Sequence, residues 1–96
     1  MPEVRQTTRY RAWFDSLRDR QAKARINVRI RRLQEGSPGQ HRQLAAGVLE
    51  LKIDYGPGYR LYCKPQGSEL IVLLAGGNKS SQNEDIALAL VMAKEI

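Results

Sequence analysis

Three basic side chains and two polar ones in the second half of the chain have the types and spacing to bind and cleave a phosphodiester. Lys52, Arg60 and Lys79 supply positive charge, and Tyr62 and Gln82 accompany them. Without a metal, such a cluster can cleave RNA by directing the 2′-hydroxyl onto the adjacent phosphate. It must deprotonate that hydroxyl, stabilise the anionic phosphorane and protonate the leaving 5′-oxygen. The residues therefore predict an RNA-directed site, provided that the fold brings them together.

The role of each predicted site residue follows from its chemistry. Arg60 is the natural transition-state clamp, because a guanidinium binds two phosphate oxygens at once. Lys52 and Lys79 add positive charge on either side of Arg60. A lysine can act as a base only if its pKa is lowered, and nearby positive charge or burial lowers it. Tyr62 can stack on a base or position the hydroxyl. For any single cation, ordinary solvation is the alternative interpretation.

A β-hairpin over residues 48–63 must position Lys52 and Arg60. Hydrophobic and polar residues alternate along both halves of this segment, which is typical of half-buried strands. Gly56-Pro57-Gly58 predicts the loop between them. With a three-residue loop, the expected opposite pairs are Tyr55 with Tyr59, Asp54 with Arg60, Ile53 with Leu61 and Lys52 with Tyr62. One face is then buried, and the other is expected to be an open platform carrying Lys52, Arg60 and Tyr62.

The remaining segments predict an α+β domain. A short strand over residues 3–7 is followed by a helix that Thr7 or Thr8 caps, and by a second helix over residues 21–35. Residues 70–75, LIVLLA, predict a central strand covered on both faces. Ser81 and Glu84 match a capping box that begins a third helix. The expected fold is an N-terminal αα-hairpin and a C-terminal helix on a small antiparallel sheet, in the order β-α-α-β-β-β-α.

The expected core residues of the first two helices lie at helical spacing. They are Tyr10, Trp13, Phe14 and Leu17 in the first helix and Ala22, Ile26, Ile30 and Leu33 in the second. Arg25, Arg29 and Arg32 form a second stripe, which is predicted to bind RNA or an acidic partner protein. A solvated helix face is the alternative for each arginine.

Composition limits the classes of function. The 96 residues predict one domain, 1–96, and the formal charge of +6 favours an anionic partner. Cys63 is expected to be an inert core thiol, and His41 is more often structural than catalytic. No zinc, Walker, Rossmann or serine-hydrolase motif is present, so neither a metal nor a cofactor is expected. The absence of a signal peptide or an apolar span predicts a cytoplasmic protein without membrane contact.

Two motifs resemble the RelE/ParE toxin superfamily. They are GVLELKIDYGPGYRLY at residues 47–62 and LLAGGNKSSQ at residues 73–82, followed by Asp85-Ile86 and Ala89. The second helix, residues 25–36, is also similar, and the closest resemblance is to the HigB-like "addiction module killer protein" branch. By matching position, Lys52 and Arg60 correspond to the basic residues of the family's strands, and Lys79 to the lysine after the last strand.

The resemblance implies the toxin of a bacterial type II toxin–antitoxin system that acts as a ribosome-dependent mRNA endonuclease. Implied partners are the ribosome, mRNA, a cognate antitoxin with a helix-turn-helix domain, and operator DNA bound through the antitoxin. The sequence lacks the histidine or tyrosine that several nucleases of the family have near the C-terminus. A ParE-like inhibitor of DNA gyrase is therefore the alternative, and a binding module that has lost activity is a third.

Overall fold

The predicted site residues lie on and around a five-stranded sheet, and a computed structural model describes all residues, 1–96. The strands are Glu3–Gln6 (β1), His41–Gln43 (β2), Leu49–Ile53 (β3), Tyr59–Gln66 (β4) and Leu70–Gly77 (β5). The helices are Thr8–Ser16 (α1), Arg20–Gln34 (α2) and Gln82–Lys94 (α3), with 3-10 turns at Ala45–Gly47 and Lys79–Ser81. The predicted α+β class is confirmed. No helix combines the length and the apolar character needed to cross a membrane.

The strands lie in the order β1-β5-β4-β3-β2, and the sheet is mixed rather than antiparallel throughout. β1 runs parallel to β5, whereas the other neighbouring strands are antiparallel. The prediction of a purely antiparallel sheet is therefore wrong at one edge. Parallel pairing requires a long crossover, and the two helices and three strands between β1 and β5 provide it.

The edge strand β2 lies between α2 and β3, where the expected order β-α-α-β-β-β-α contains no strand. Its residues His41–Gln43 pair with Leu49–Leu51 of β3. All three side chains of β2 are exposed, so no alternation of hydrophobic and polar residues marks the strand. An edge strand can be held by backbone hydrogen bonds to one neighbour, which explains why pattern alone did not reveal it.

Helices α1 and α2 cover one face of the sheet, as their hydrophobic stripes predict. Tyr10 of α1 is buried, and Trp13, Phe14 and Leu17 pack against the same core. The buried residues of α2 are Ala22, Ile26, Ile30 and Leu33. Cys63 lies in this core as expected, and burial raises the pKa of its thiol to about 12, which makes it a poor nucleophile.

Helix α3 covers the opposite face of the sheet, including the face of the β3–β4 hairpin that was predicted to be open. Its small residues Ala89 and Ala93 are fully buried, so the helix approaches the strands closely. Buried residues of the sheet under α3 include Val48, Tyr62, Val72, Leu74 and Ala75. The predicted central strand β5 is thus covered on both faces. The prediction of an open platform is therefore wrong for Tyr62, which α3 covers, and for Arg60, which is only 6% exposed.

The start of α3 also differs from the predicted capping box of Ser81 and Glu84. A 3-10 turn precedes the helix, and Asn78 caps that turn by accepting a hydrogen bond from Ser80 N at 2.9 Å. Ser81 Oγ instead donates to Asp85 Oδ2 at 2.6 Å. The extra turn moves the cap back to Asn78, so the Ser81 hydroxyl accepts from Asn78 N at 3.3 Å while it donates to the buried carboxylate of Asp85.

Candidate functional site

The register of the β3–β4 hairpin places Lys52 directly opposite Arg60. The sequence predicted a three-residue loop, which would have placed Lys52 opposite Tyr62. Ile53 pairs with Tyr59, which leaves a five-residue loop over residues 54–58. The shift equals two positions, and side chains alternate with a period of two, so every residue stays on its predicted face. The two cations are therefore closer than predicted.

Tyr55 explains the longer loop, because its side chain leaves the strand and packs on α2. Its hydroxyl donates to Asp19 Oδ2 at 2.8 Å and approaches Gln21 Oε1 at 3.1 Å. The guanidinium of Arg25 lies 4.6 Å from the centre of the Tyr55 ring, in cation–π geometry. Gly58 has a φ of 79°, which a glycine adopts without strain where the chain turns into β4. These contacts anchor the hairpin tip to α2.

The hairpin tip also brings Lys79 to Lys52 and Arg60. The backbone N–H of Lys79 donates to Pro57 O at 3.4 Å. A Cβ atom at Gly58 would lie 3.2 Å from Arg60 Nη1 and 3.7 Å from Lys79 Cβ. Gly58 therefore sits between the two side chains. We refer to Lys52, Arg60 and Lys79 together as the cation cluster.

No carboxylate forms an ion pair with a member of the cation cluster. The ion pairs of the protein lie elsewhere, between Arg5 and Glu3, Arg31 and Glu35, and Arg42 and Glu50. Arg60 is only 6% exposed, yet its side chain forms one hydrogen bond, from Nη1 to Gly58 O at 2.7 Å, and its buried Nε has no partner. A buried guanidinium that forms no ion pair is costly, and such costs are retained where an anion has to bind. A phosphate has the charge and the acceptor oxygens that this cluster lacks.

Tyr62 and Gln82, predicted to contact RNA, belong to the interior beneath α3. Tyr62 is fully buried, and burial, with the nearby charge of Glu50, raises the pKa of its hydroxyl. Gln82 Nε2 donates to Glu50 Oε2 at 3.0 Å, and Arg42 pairs with the other oxygen of Glu50 at 3.0 Å. The prediction that Tyr62 stacks on a base is wrong in this conformation, because α3 excludes solvent and ligand from its ring. Gln82 is half-buried, and its side chain is engaged by the carboxylate of Glu50.

Arg29, the middle residue of the predicted arginine stripe, is engaged within the fold. Its Nη2 donates to Pro38 O at 2.9 Å and to Gln40 O at 2.6 Å, and its Nη1 donates to Lys52 O. Burial lowers the pKa of this guanidinium, with a smaller contribution from Arg32. Arg29 therefore fixes the segment before β2 and the end of β3 to α2, rather than presenting its charge to RNA as predicted.

Arg25 and Arg32 are exposed and line a groove of about 500 Å³ between α2 and the end of β3. Val28 lies between them and is 49% exposed. We refer to these three residues as the α2 groove. An apolar residue flanked by two arginines can accept an acidic segment that also carries an apolar side chain.

A second cleft lies between α1 and the end of β5, next to the cation cluster. Its lining includes Arg9, Trp13, Gly76–Gly77, Asn78 and Asp85, and its volume is about 430 Å³. The helical stripe of α1 predicts Trp13 to be a core residue, and no sequence pattern indicates a role for Arg9. The paired glycines are the signal that was missed, since a glycine in a strand often marks a close approach of another group.

Neither His41 nor a metal site belongs to the cation cluster. His41 is exposed, its Nδ1 lies 2.7 Å from Gly39 O, and its side chain points to the opposite face of the sheet, with Leu51. No group of three or more His, Cys, Asp or Glu side chains is arranged to hold a metal ion.

The chain is similar over almost its whole length to an uncharacterised protein of Haemophilus influenzae. The two sequences are 43% identical over 94 residues, which cover 98% of this chain and 95% of that protein. No protein-family model matches the chain. No solved structure matches it either. At this identity and coverage, the chain belongs to the same family as the Haemophilus influenzae protein.

Proposed function

We propose that the protein is the toxin of a bacterial type II toxin–antitoxin system, of the RelE/ParE superfamily and its HigB-like branch. Its proposed activity is metal-independent, ribosome-dependent cleavage of mRNA. The observation that carries this proposal is the cation cluster, in which the nearly buried Arg60 lies between Lys52 and Lys79 without a carboxylate partner. Such a cluster binds a phosphodiester more readily than any neutral ligand.

The arrangement of helices supports the proposed RelE-like topology. An αα-hairpin follows the first strand, three strands form the meander β3–β4–β5 with its neighbour β2, and a C-terminal helix packs on the sheet. The strand β2 is an addition to the expected order β-α-α-β-β-β-α. It lies at the far edge of the sheet from β1 and leaves the positions of the cations on β3 and β4 unchanged.

In the proposed reaction the 2′-oxygen of a nucleotide attacks the adjacent phosphorus as its hydroxyl loses a proton, and the bond from phosphorus to the 5′-oxygen breaks as that oxygen gains a proton. The products are a 2′,3′-cyclic phosphate and a free 5′-hydroxyl. Arg60 binds two non-bridging oxygens, and Lys52 and Lys79 stabilise the additional negative charge of the phosphorane. Because the guanidinium is held against Gly58 O, its orientation is set before the substrate binds.

The proposed partners follow from the two charged surfaces. The cation cluster binds mRNA on the ribosome, and the α2 groove binds an acidic, partly apolar segment of a cognate antitoxin. In this branch the antitoxin is expected to carry a helix-turn-helix domain, through which the pair binds operator DNA. These partners place the protein in the bacterial cytoplasm.

A ParE-like inhibitor of DNA gyrase is the second candidate function. The observation in its favour is the burial of Tyr62, which removes the predicted base-stacking residue from the surface next to the cation cluster. Such an inhibitor would use its charged surfaces to bind protein and would not need a group that transfers protons.

Mapping of mRNA 5′ ends after brief induction tests the proposal. We expect new 5′ ends inside translated codons with the wild type, and none with Lys79→Ala, which alters an exposed residue of the cation cluster. Lys94→Ala removes an equally exposed lysine at the far end of α3 and is the matched control. Growth arrest with intact mRNA and an induced DNA-damage response would instead establish the gyrase function.

A further inference from the structure

The cleft between α1 and the end of β5 is open because the sheet is incomplete there. β1 pairs with β5 only as far as Leu73, so the edge of β5 at Gly76–Gly77 has no neighbouring strand. Arg9, Ala12 and Trp13 of α1 face this edge across the cleft. Its volume of about 430 Å³ lies within the range of small-molecule sites and is sufficient for one nucleotide.

Asp85 presents a buried acceptor to the cleft. The residue is only 8% exposed, and no cation pairs with it. Its Oδ2 accepts the hydrogen bond from Ser81, whereas Oδ1 accepts none and is not fully enclosed. A Cβ atom at Gly77 would lie 1.8 Å from Oδ2, so the carboxylate can take this position only because residue 77 is glycine. A buried carboxylate that is half satisfied can accept donors from a ligand.

Trp13 and Arg9 supply the other two interactions that a nucleotide needs. The Trp13 ring packs on Gly76 and also lines the cleft, so part of an aromatic surface is available to a base. Arg9 is exposed and forms no ion pair, so its guanidinium is free to contact a phosphate.

We infer that this cleft binds one base of a single-stranded RNA, with a preference for a base that carries an exocyclic amino group. This inference rests on the proposed function, since it adds a base-specific subsite to the cation cluster. Gly77 lies directly opposite Arg60, and Asn78 caps the turn that carries Lys79. A phosphate at the cluster and a base in the cleft can therefore belong to neighbouring parts of the same strand.

The charge of Asp85 determines the preference among bases. Guanine, adenine and cytosine each present an amino group that donates to a carboxylate. Uracil presents one N–H between two carbonyl oxygens, and those oxygens are repelled by the carboxylate. The cleft is therefore expected to bind uracil more weakly than the other three bases.

The fluorescence of Trp13 tests the inference directly, because Trp13 is the single tryptophan of the chain. The probes are the four ribonucleoside 5′-monophosphates, titrated separately into the purified protein. We expect saturable quenching by GMP, AMP and CMP at concentrations about five- to tenfold lower than UMP requires. Equal quenching by all four, or none at millimolar concentrations, would overturn the inference.

Two variants and one control locate the effect in the cleft. Asp85→Asn should remove the discrimination against UMP, because an amide both donates and accepts. Glu84→Gln removes the same charge from an exposed neighbour on α3 and should keep it. If Asp85→Asn does not fold, Ala12→Leu replaces an exposed residue of the cleft wall and should abolish quenching by all four nucleotides. Unchanged quenching in the folded variant would overturn the inference.

The same titration separates this inference from the proposed nuclease activity. Fluorescence reports binding whether or not RNA is cleaved, so base-selective quenching that depends on Asp85 supports the cleft even if no mRNA is cut. Cleavage of mRNA by a protein whose Trp13 fluorescence no nucleotide changes would support the nuclease and overturn the cleft.

Discussion

Lys52 and Arg60 lie directly opposite each other on β3 and β4, and neither forms an ion pair. Like charges at opposite positions of neighbouring strands destabilise a sheet. Arg60 is also almost fully buried, which adds the cost of removing its charge from water. An arrangement that weakens the fold at two neighbouring residues is typical of a binding site, where the ligand supplies the ion pair.

We expect Arg60→Met to abolish growth arrest and to leave the melting temperature unchanged or higher. Methionine fills similar space without a charge, so the repulsion from Lys52 and the unpartnered Nε both disappear. RNA cleavage should fall by about 100-fold or more, as expected when a transition-state donor is lost. Growth assays and thermal unfolding by circular dichroism provide the two measurements.

Arg42→Met provides the contrasting control for that prediction. Arg42 pairs with Glu50, whose side chain is only 6% exposed, so its removal leaves a buried carboxylate with Gln82 as its only side-chain partner. We expect a loss of about 1–2 kcal/mol in the free energy of unfolding. If Arg60→Met were destabilised as much as Arg42→Met, Arg60 would be a structural residue.

Arg29→Lys should destabilise the protein by about 2–4 kcal/mol, because a lysine cannot make the three carbonyl contacts of the guanidinium at once. Urea unfolding measures the loss. Arg32→Lys, an exposed neighbour on α2, should change the free energy of unfolding by no more than about 0.5 kcal/mol. Equal stability of the two variants would restore Arg29 as a surface residue available to RNA.

Gly76→Ala should cost about 2 kcal/mol of stability, because the added Cβ would lie 2.2 Å from Trp13 Cε3. In a Trp13→Leu background the same substitution should cost about 1 kcal/mol less, since the smaller side chain can move away. A double-mutant cycle of unfolding free energies measures this coupling. Strictly additive effects would show that the ring and residue 76 do not constrain each other.

The Tyr55–Asp19 hydrogen bond should make stability depend on pH in the acid range. The pKa of Asp19 is lowered, first by this bond and then by the amide of Ala22. A lowered carboxyl pKa contributes stability that is full above the ordinary value of about 4 and is lost as the pH falls through the lower folded value. Urea midpoints between pH 6 and pH 2 measure the contribution.

Tyr55→Phe should make that acid-side decrease shallower, because Asp19 then keeps only its backbone hydrogen bonds. Tyr59→Phe removes a hydroxyl from the same hairpin that forms no hydrogen bond with a protein group, and it should retain the wild-type profile. Identical profiles for the two variants would mean that the hydroxyl of Tyr55 does not affect the titration of Asp19.

Local patterns were sufficient to predict the helices, the strands other than β2 and the proximity of the three cations. Alternation over Leu49–Ile53 and the helical stripes identify which side of each element is apolar, because burial of apolar area dominates folding. The same alternation places Lys52 and Arg60 on one face, and the turn after β5 delivers Lys79 to it. The predicted pairing of β3 with β4 was wrong by two residues. Because side chains alternate with a period of two, this error left Lys52 and Arg60 on the same face.

Tertiary structure alone decided which of these residues remain accessible. Helix α3 is far in sequence from the hairpin, and no local pattern says which face of the sheet it covers, so the burial of Tyr62 could not be predicted. Arg29 donates to backbone carbonyl groups that the path of the chain around β2 brings to it. Every residue has a backbone carbonyl, so the sequence does not indicate which ones Arg29 will contact. The cleft at Asp85 likewise exists only because β1 ends before β5 does.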